Sequence, residues 1–229
     1  MSFIITRNYD GYGSGFLNQD ATLFHINISK NASSYMADVL PRQGWSACCY
    51  GRDTCSYSNV KQMVVILRDP VDRWVSGVSQ YLVTKILNYI GTNTYMDEHE
   101  NQNFEDQYLS AGAFLIAYSP LIERFIFDKL DLLDDHVWPQ HEFFQNILPM
   151  IPRHYVVMDE NFDQNLQALG IVDFPDADRN NSDDDEDKAI LKAFFRKRLE
   201  NNPRLLNRVR RTYARDYQLI ESAANGSTR

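Results

Sequence analysis

The sequence predicts a three-layer α/β domain in which helices flank a central parallel sheet. Strand-like and helix-like segments alternate along most of the chain, which is the pattern of parallel βαβ units. The clearest strand, Met63–Leu67, is apolar throughout, as expected for a strand buried on both faces. A chain of 229 residues can bury its own core, and no linker or repeat interrupts it. We therefore predict one domain over 1–229, with an N-terminal extension at 1–20 and C-terminal helices at 183–229.

The first third of the chain predicts strands separated by one helix. The glycine-rich stretch Gly11–Gly15 predicts a flexible turn, because glycine tolerates conformations that other residues avoid. Ala21–Ile28 predicts the first strand. Ala32–Leu40 predicts a helix that Pro41 ends. Trp45–Tyr50 predicts a short strand.

A helix is predicted directly after Met63–Leu67. Asp69 suits the N-cap position and Pro70 the first helical turn, where a missing N–H costs nothing. This helix is expected to reach about Tyr89. The polar stretch 91–104 then predicts an exposed loop.

The second half of the chain predicts one further strand and mostly helices. The strand His154–Met158 is of the buried type, and an acidic run at 183–187 suits the positive end of a helix dipole. The predicted helices are Phe104–Leu130 with a break at Ser119–Pro120, Asn161–Leu169, Ala189–Leu199 and Pro203–Ser222.

Charge is distributed unevenly along the chain. The formal net charge is −8, yet residues 188–229 carry 11 Lys and Arg against three acidic residues, a net charge of +8. Residues 1–187 therefore hold −16, with 12 basic against 28 acidic side chains. The acidic bulk argues against broad nucleic-acid binding. The basic C-terminal helices are typical of a solvated helix face, and they also suit an acidic polymer.

Cysteine and hydropathy patterns exclude several protein classes. Cys48, Cys49 and Cys55 are odd in number and lack zinc-ligand spacing, so we expect free thiols and no metal. No apolar run is long enough to span a bilayer, and the N-terminus lacks the features of a signal peptide. We therefore expect a cytoplasmic protein without a membrane span.

Two strand-to-helix junctions carry hydroxyl and cationic residues. The first, at 25–34, contains Lys30, Asn31, Ala32, Ser33 and Ser34. Because a strand-to-helix turn exposes backbone N–H groups at the helix N-terminus, such a junction suits phosphate or sulfate.

The second junction, at 64–76, reads Arg-Asp-Pro-x-x-Arg-x-x-Ser, with Arg68, Arg73 and Ser76 as its cationic and hydroxyl residues. Two such junctions in one chain predict a ligand with two separate anionic ends.

These two motifs resemble those of sulfotransferases that use 3′-phosphoadenosine 5′-phosphosulfate (PAPS), and most of all the carbohydrate (Golgi-type) sulfotransferases. The resemblance covers about residues 22–80, and Ser29 stands where the family usually has proline. It implies a P-loop-kinase-like fold. It also implies transfer of a sulfuryl group from PAPS to an acceptor hydroxyl, which leaves adenosine 3′,5′-bisphosphate and needs no metal.

The resemblance also implies roles for the residues of the two motifs. The loop at Lys30–Ser34 is expected to wrap the phosphosulfate, with Lys30 as a catalytic cation on the departing phosphate oxygen. Arg68 and Ser76 are expected to bind the 3′-phosphate, because guanidinium can grip phosphate with two hydrogen bonds. Arg73 is a further candidate for cofactor binding, or else pairs with Asp69 or Asp72.

Transfer to a hydroxyl also needs a general base. The stretch 135–141 resembles a His-Trp-x-Pro-Gln element of some carbohydrate sulfotransferases, with Val137 inserted. His136 is therefore the expected base and His141 the alternative, with Asp134 or Asp135 orienting the ring.

The acceptor is expected to be a saccharide by resemblance alone, and its pocket to be built from loops such as 91–104 and 131–145. A tyrosine-bearing peptide or a small alcohol remains open, and the sequence indicates no oligomeric state.

Two other function classes remain open. A P-loop kinase or NTPase would carry GxxxxGK[ST], but Lys30 is followed by Asn-Ala-Ser and no glycines surround it. A non-catalytic nucleotide- or glycan-binding module would keep the pocket or the basic helices without the chemistry.

Overall fold

The computed structural model describes residues 13–87, 110–129, 133–172 and 185–224. Within these residues, helices flank a five-stranded mixed sheet, so the expected α/β class is confirmed. The strands are β1 (Ser14–Leu17), β2 (Leu23–Ile26), β3 (Ser46–Cys49), β4 (Gln62–Leu67) and β5 (Arg153–Val157). The helices are α1 (Ser33–Arg42), α2 (Pro70–Leu82), α3 (Ala111–Lys129), α4 (Phe162–Ala168), α5 (Glu186–Glu200), α6 (Pro203–Thr212) and α7 (Ala214–Ala224).

The sheet is mixed, so the expectation of an all-parallel sheet was wrong. Its strand order is β3-β1-β2-β4-β5, in which β2, β4 and β5 are parallel and β1 is antiparallel to both neighbours. β1 lies where a flexible turn and an N-terminal extension were expected. The sequence did not predict this strand because it contains Gly15, and glycine is depleted in strands. Here glycine is required, since a Cβ on Gly15 would lie 2.0 Å from the His25 carbonyl oxygen.

The central strand β4 is buried on both faces, as its sequence predicts. Val64 and Ile66 pack on one face with Met36 of α1. Met63 and Val65 pack on the other, in a separate apolar cluster. This double burial holds the ends of β2, β4 and β5 in fixed relative positions, and these ends carry the candidate site.

Side chains cap the N-termini of three of the described helices. Asp69 accepts a hydrogen bond from the Asp72 amide at 2.9 Å, which confirms its predicted N-cap role. Asp185 caps α5 and Asn202 caps α6 in the same way. α2 then continues into a π-helical turn at Val83–Leu87.

Three helix boundaries differ from the sequence predictions. Pro41 does not end α1 but lies in its last turn, where only one intrahelical hydrogen bond is lost. α3 runs through Pro120, because the carbonyl that proline frees belongs to Ile116, which is 88% exposed and open to water. The predicted C-terminal helix is two helices, which meet at the buried Tyr213. The Tyr213 hydroxyl donates to the Val137 carbonyl at 2.6 Å and fixes the break.

A third apolar cluster joins the C-terminal helices to α2. Trp74 packs against Phe127 of α3 and Phe195 of α5, with ring centroids 5.5 and 5.8 Å apart. Val209 anchors α6 to the same cluster. The basic C-terminal segment is therefore part of the core through its apolar face.

Some expectations fall outside the described residues, among them the exposed loop at 91–104 and the first two residues of the acidic run at 183–187. The rest of that run lies at the N-terminus of α5, as expected, with Asp185 as the N-cap and Glu186 and Asp187 in the first turn. Among the described helices, none is long and apolar enough to cross a membrane. Cys48, Cys49 and Cys55 are free thiols, as expected, and burial raises the pKa of Cys48 to about 11.

Candidate functional site

A cleft of about 300 Å³ lies at the carboxyl ends of the three parallel strands. This edge is where open α/β sheets bind ligands. Lys30 follows β2, Arg68 follows β4 and Met158 follows β5. The complete lining is Lys30, Ala32, Ser33, Ser34, Tyr35, Arg68, Ser76, Gln80, Met158, Phe162 and Lys188.

The lining of the cleft is rich in cations although the chain is acidic overall, and one of these cations, Lys188, pairs with Asp185 at 2.9 Å. The lining contains the cations Lys30, Arg68 and Lys188 and no carboxylate, in a chain of net charge −8. Burial, together with the positive charges of Lys188, Lys192 and Arg68, lowers the pKa of Lys30 to about 8, against an opposing contribution from Asp134. Cations crowded in this way favour a ligand with more than one negative charge.

The loop between β2 and α1 has an unusual backbone. Lys30 and Ala32 have φ of 69° and 54°, in the left-handed region that side chains other than glycine seldom adopt. Each such residue costs about 1–3 kcal/mol. The side chain of Asn31, between them, donates to the Ile66 carbonyl at 2.7 Å and to Gln140. These buried bonds hold the strained loop at the end of β4.

The N-terminus of α1 opens into this cleft without a side-chain cap. Its N-cap residue is Ala32, which has no hydroxyl or carboxylate to accept from the first amides. The hydroxyl residues Ser33 and Ser34 instead line the cleft beside those amides. Backbone amides, the positive end of a helix and two hydroxyls together form an anion-binding arrangement.

Six of the predicted cofactor-binding residues line this one cleft: Lys30, Ala32, Ser33, Ser34, Arg68 and Ser76. The two motifs also touch directly, since Arg68 Nη1 donates to the Lys30 carbonyl at 3.3 Å. Gln140 contacts both motifs. Its side-chain amide donates to the Arg68 carbonyl and accepts from the Arg68 backbone amide, each at 2.9 Å, and it also accepts from Asn31. The junctions thus meet although 38 residues separate Lys30 from Arg68.

Asn31 and Arg73 do not line the cleft, contrary to the expected contact with cofactor. Asn31 is buried in the network described above. Arg73 is 1% exposed and donates to the carbonyls of Ser29, Asp135 and Trp138. Arg73 therefore ties the Lys30 loop to the segment that carries His136. Its predicted alternative partners, Asp69 and Asp72, are not among these acceptors.

His136 lies beside the Lys30 loop but does not line the cleft. Its Nδ1 is 3.0 Å from Asp134 Oδ2 and 3.6 Å from Asp135 Oδ1, so both expected carboxylates lie near the ring. The Asp135 carboxylate also accepts from the Ser29 hydroxyl. Among the described residues, Asp134, Asp135 and His136 are the one group of three potential metal-ligating atoms within 4.8 Å of each other.

His141 belongs to a different network. Its Nδ1 is 2.9 Å from Asp216 Oδ1, and the backbone amides of Gln140 and His141 donate to the same carboxylate. Asp216 is fully buried in α7. This arrangement indicates a structural role for His141, in which it fixes the segment after Trp138 to the last helix.

Sequence reasoning missed several residues of the cleft, among them Gln80 and Lys188. Gln80 lies one helical turn after Ser76, so i, i+4 spacing on α2 places both on one face. Met158 follows a buried strand, and the carboxyl-end rule would have found it. Lys188 comes from α5, and no spacing rule connects it to Lys30.

No protein-family model matches the chain, and neither the curated proteins nor the solved structures contain a significant match.

Proposed function

We propose that this protein is a PAPS-dependent sulfotransferase. In the reaction an acceptor oxygen attacks sulfur, a new S–O bond forms, and the bond between sulfur and the phosphate oxygen breaks. The products are the sulfated acceptor and adenosine 3′,5′-bisphosphate. The acceptor proton passes to His136, which Asp134 orients through Nδ1.

One observation carries this proposal. Lys30 and Arg68 line the same cleft, in contact through the Lys30 carbonyl, with the hydroxyls of Ser33, Ser34 and Ser76 around them. If Lys30 were only a surface residue and Arg68 only part of a structural ion pair, the two cations would not be expected to line one cleft with three serines and without a carboxylate. The motifs that resemble the sulfotransferase family are the ones that meet here.

The chemistry of the cleft supports one orientation of the nucleotide. The phosphosulfate would bind at the α1 N-terminus, where Lys30 neutralises charge on the departing phosphate oxygen. The 3′-phosphate would bind Arg68 and Ser76. The apolar lining of Tyr35, Met158 and Phe162 would then contact the adenine, because nucleobases bury a flat apolar face.

The parallel strands support the proposal of a P-loop-kinase-like fold. β2 leads through the Lys30 loop into α1, and the adjacent parallel strand β4 leads into α2. Anion binding at such junctions is the feature that a P-loop-kinase-like domain would share. In this proposal the antiparallel strands β1 and β3 extend that domain at one sheet edge.

Calorimetry with three ligands tests the donor site. We expect adenosine 3′,5′-bisphosphate to bind, and ATP with magnesium and a heparin-like polymer to bind more weakly or not at all. Arg68→Met should weaken bisphosphate binding at least about tenfold, since it removes a charge-assisted contact. Arg204→Met, at an exposed position on α6, is the matched control and should bind as the wild type does.

Radiolabelled sulfate transfer from PAPS tests the activity itself. Glycans, tyrosine-bearing peptides and small alcohols or phenols form the acceptor panel, and a saccharide is the expected substrate. Preferred binding of ATP with magnesium would favour a kinase. Bisphosphate binding without transfer to any acceptor class would favour a non-catalytic nucleotide-binding module.

A further inference from the structure

The ammonium of Lys30 has a defined resting position on α2. Lys30 Nζ donates a hydrogen bond to Gln80 Oε1 at 2.9 Å, and both residues line the cleft. Gln80 lies one turn after Ser76, so the ammonium rests on the helix face that also presents the Ser76 hydroxyl. Lys30 is thus held at both ends, since its carbonyl accepts from Arg68.

A neutral acceptor has a specific advantage at this position. A carboxylate would form a charge-assisted bond to the ammonium and cancel part of the positive potential that attracts an anion. The amide oxygen of Gln80 fixes the direction of the lysine side chain and adds no negative charge beside it. The contact is therefore suited to orienting Lys30 and to yielding when an anionic oxygen arrives.

The charged groups that surround Lys30 come from three other parts of the fold. Arg68 follows β4, Lys188 and Lys192 lie on α5, and Asp134 lies in the segment before His136. Three of these four groups are cations. Gln80 on α2 adds a hydrogen-bond acceptor to this environment without adding charge.

We propose that Gln80 is a positioning residue of the anion site: its side-chain oxygen holds the Lys30 ammonium beside Ser76 until an anionic ligand oxygen replaces it. The inference rests on the proposed function for the identity of that ligand. The contact itself is a property of the free protein. No covalent step is involved, and the exchange of partners requires the protonated form of Lys30.

Two substitutions separate this role from simple packing. Gln80→Met keeps the length of the side chain but removes the acceptor, and Gln80→Glu keeps the shape but adds a negative charge. The titration of Lys30 is followed by NMR of lysine-labelled protein, and adenosine 3′,5′-bisphosphate affinity by calorimetry across the same pH range. Gln218→Glu on the exposed face of α7 controls for the added charge, and circular dichroism checks the fold.

We expect opposite effects of the two variants on Lys30. A hydrogen bond to the charged form raises a pKa, so Gln80→Met should lower the pKa of Lys30 below its value of about 8. Gln80→Glu should raise it and weaken bisphosphate binding about tenfold, because the carboxylate retains the ammonium and repels the ligand. Bisphosphate binding should weaken as pH rises through the pKa of Lys30. The pH at which half of this loss has occurred should shift with the pKa of Lys30 in each variant.

An unchanged Lys30 titration in both folded variants would overturn the inference, as would wild-type affinity and an unmoved midpoint in Gln80→Glu. Failure of the proposed function gives a different result. The wild type would then not bind bisphosphate at any pH, while the Lys30 titrations of the free variants would still report on the Gln80 contact.

Discussion

Arg73 Nε donates a hydrogen bond to the Ser29 carbonyl oxygen at 3.0 Å, from a guanidinium that is almost fully buried. The same guanidinium donates to the carbonyls of Asp135 and Trp138. One side chain of α2 therefore sets the distance between the Lys30 loop and the His136 segment. In the proposed enzyme, that distance separates the charge-stabilising group from the base.

Arg73→Met should destabilise the protein by about 3 kcal/mol, because it removes three hydrogen bonds from a buried guanidinium to backbone carbonyls. Denaturant unfolding measures the loss. Arg196→Met is the matched control: Arg196 pairs with Asp72 at 3.2 Å on the surface, and such pairs contribute less than about 1 kcal/mol. Equal losses of unfolding free energy in the two variants would contradict the inference that Arg73 holds the Lys30 loop against the His136 segment.

Gly77→Ala should displace the His136 segment from α2. A Cβ on Gly77 would lie 2.2 Å from the His136 carbonyl oxygen, and a backbone atom cannot rotate away. We expect a loss of about 1–3 kcal/mol in the free energy of unfolding. Gly112→Ala on α3 is the control, since among the described residues no atom beyond the helix's own backbone lies within 4 Å of its Cβ position, and it should gain up to about 1 kcal/mol. A stable Gly77→Ala protein with unchanged His136 NMR shifts would disprove the contact.

Lys188→Met should weaken bisphosphate binding about tenfold, because it removes one of the three cations that line the cleft. It should also raise the pKa of Lys30, since Lys188 is its strongest positive neighbour. Calorimetry and lysine NMR measure the two effects. Lys197→Met, exposed on the same helix, should change neither. If Lys188→Met binds bisphosphate as tightly as the wild type, α5 does not contribute to the binding site.

His136→Gln should lower sulfate transfer by about 10²–10⁴, the usual contribution of a general base, and leave bisphosphate affinity unchanged. His141→Gln should keep most of the transfer activity, because His141 belongs to the structural network of the fully buried Asp216. Both variants are assayed on the acceptor found in the sulfate-transfer screen. The reverse result would assign the base to His141.

His25→Leu should reduce the loss of stability in acid. Burial lowers the pKa of His25 to about 4 in the folded state, whereas the unfolded chain binds its proton near pH 6.5. The unfolded state therefore gains a proton first, and stability falls as pH drops from about 6.5 to 4, by up to about 3 kcal/mol. Denaturant unfolding at pH 7 and 4.5 should show a smaller difference for His25→Leu than for the wild type. Phe24→Leu, in the same strand as His25, removes no titratable group; it is the control and should keep the wild-type difference.

Local sequence was enough to predict the elements that carry the site. β4, the Asp69 cap and the helix after Pro70 follow from burial pattern and capping chemistry within a few residues. The boundary at Tyr213 was predicted wrongly because tertiary packing decided it, whereas those at Pro41 and Pro120 depended on the position of each proline in its helix. A proline near a helix end or on an exposed face costs less than the general rule implies.

By itself, the sequence determined that two strand-to-helix junctions carry cations and hydroxyls, since such junctions are encoded by neighbouring residues. Only the tertiary structure decided which of these residues face one another. It placed Lys30 beside Arg68, turned Arg73 into the core and brought Lys188 from the far end of the chain into the cleft. Spacing along a chain gives the direction of a side chain on its own element. Which distant element meets that side chain depends on how all the apolar faces pack together.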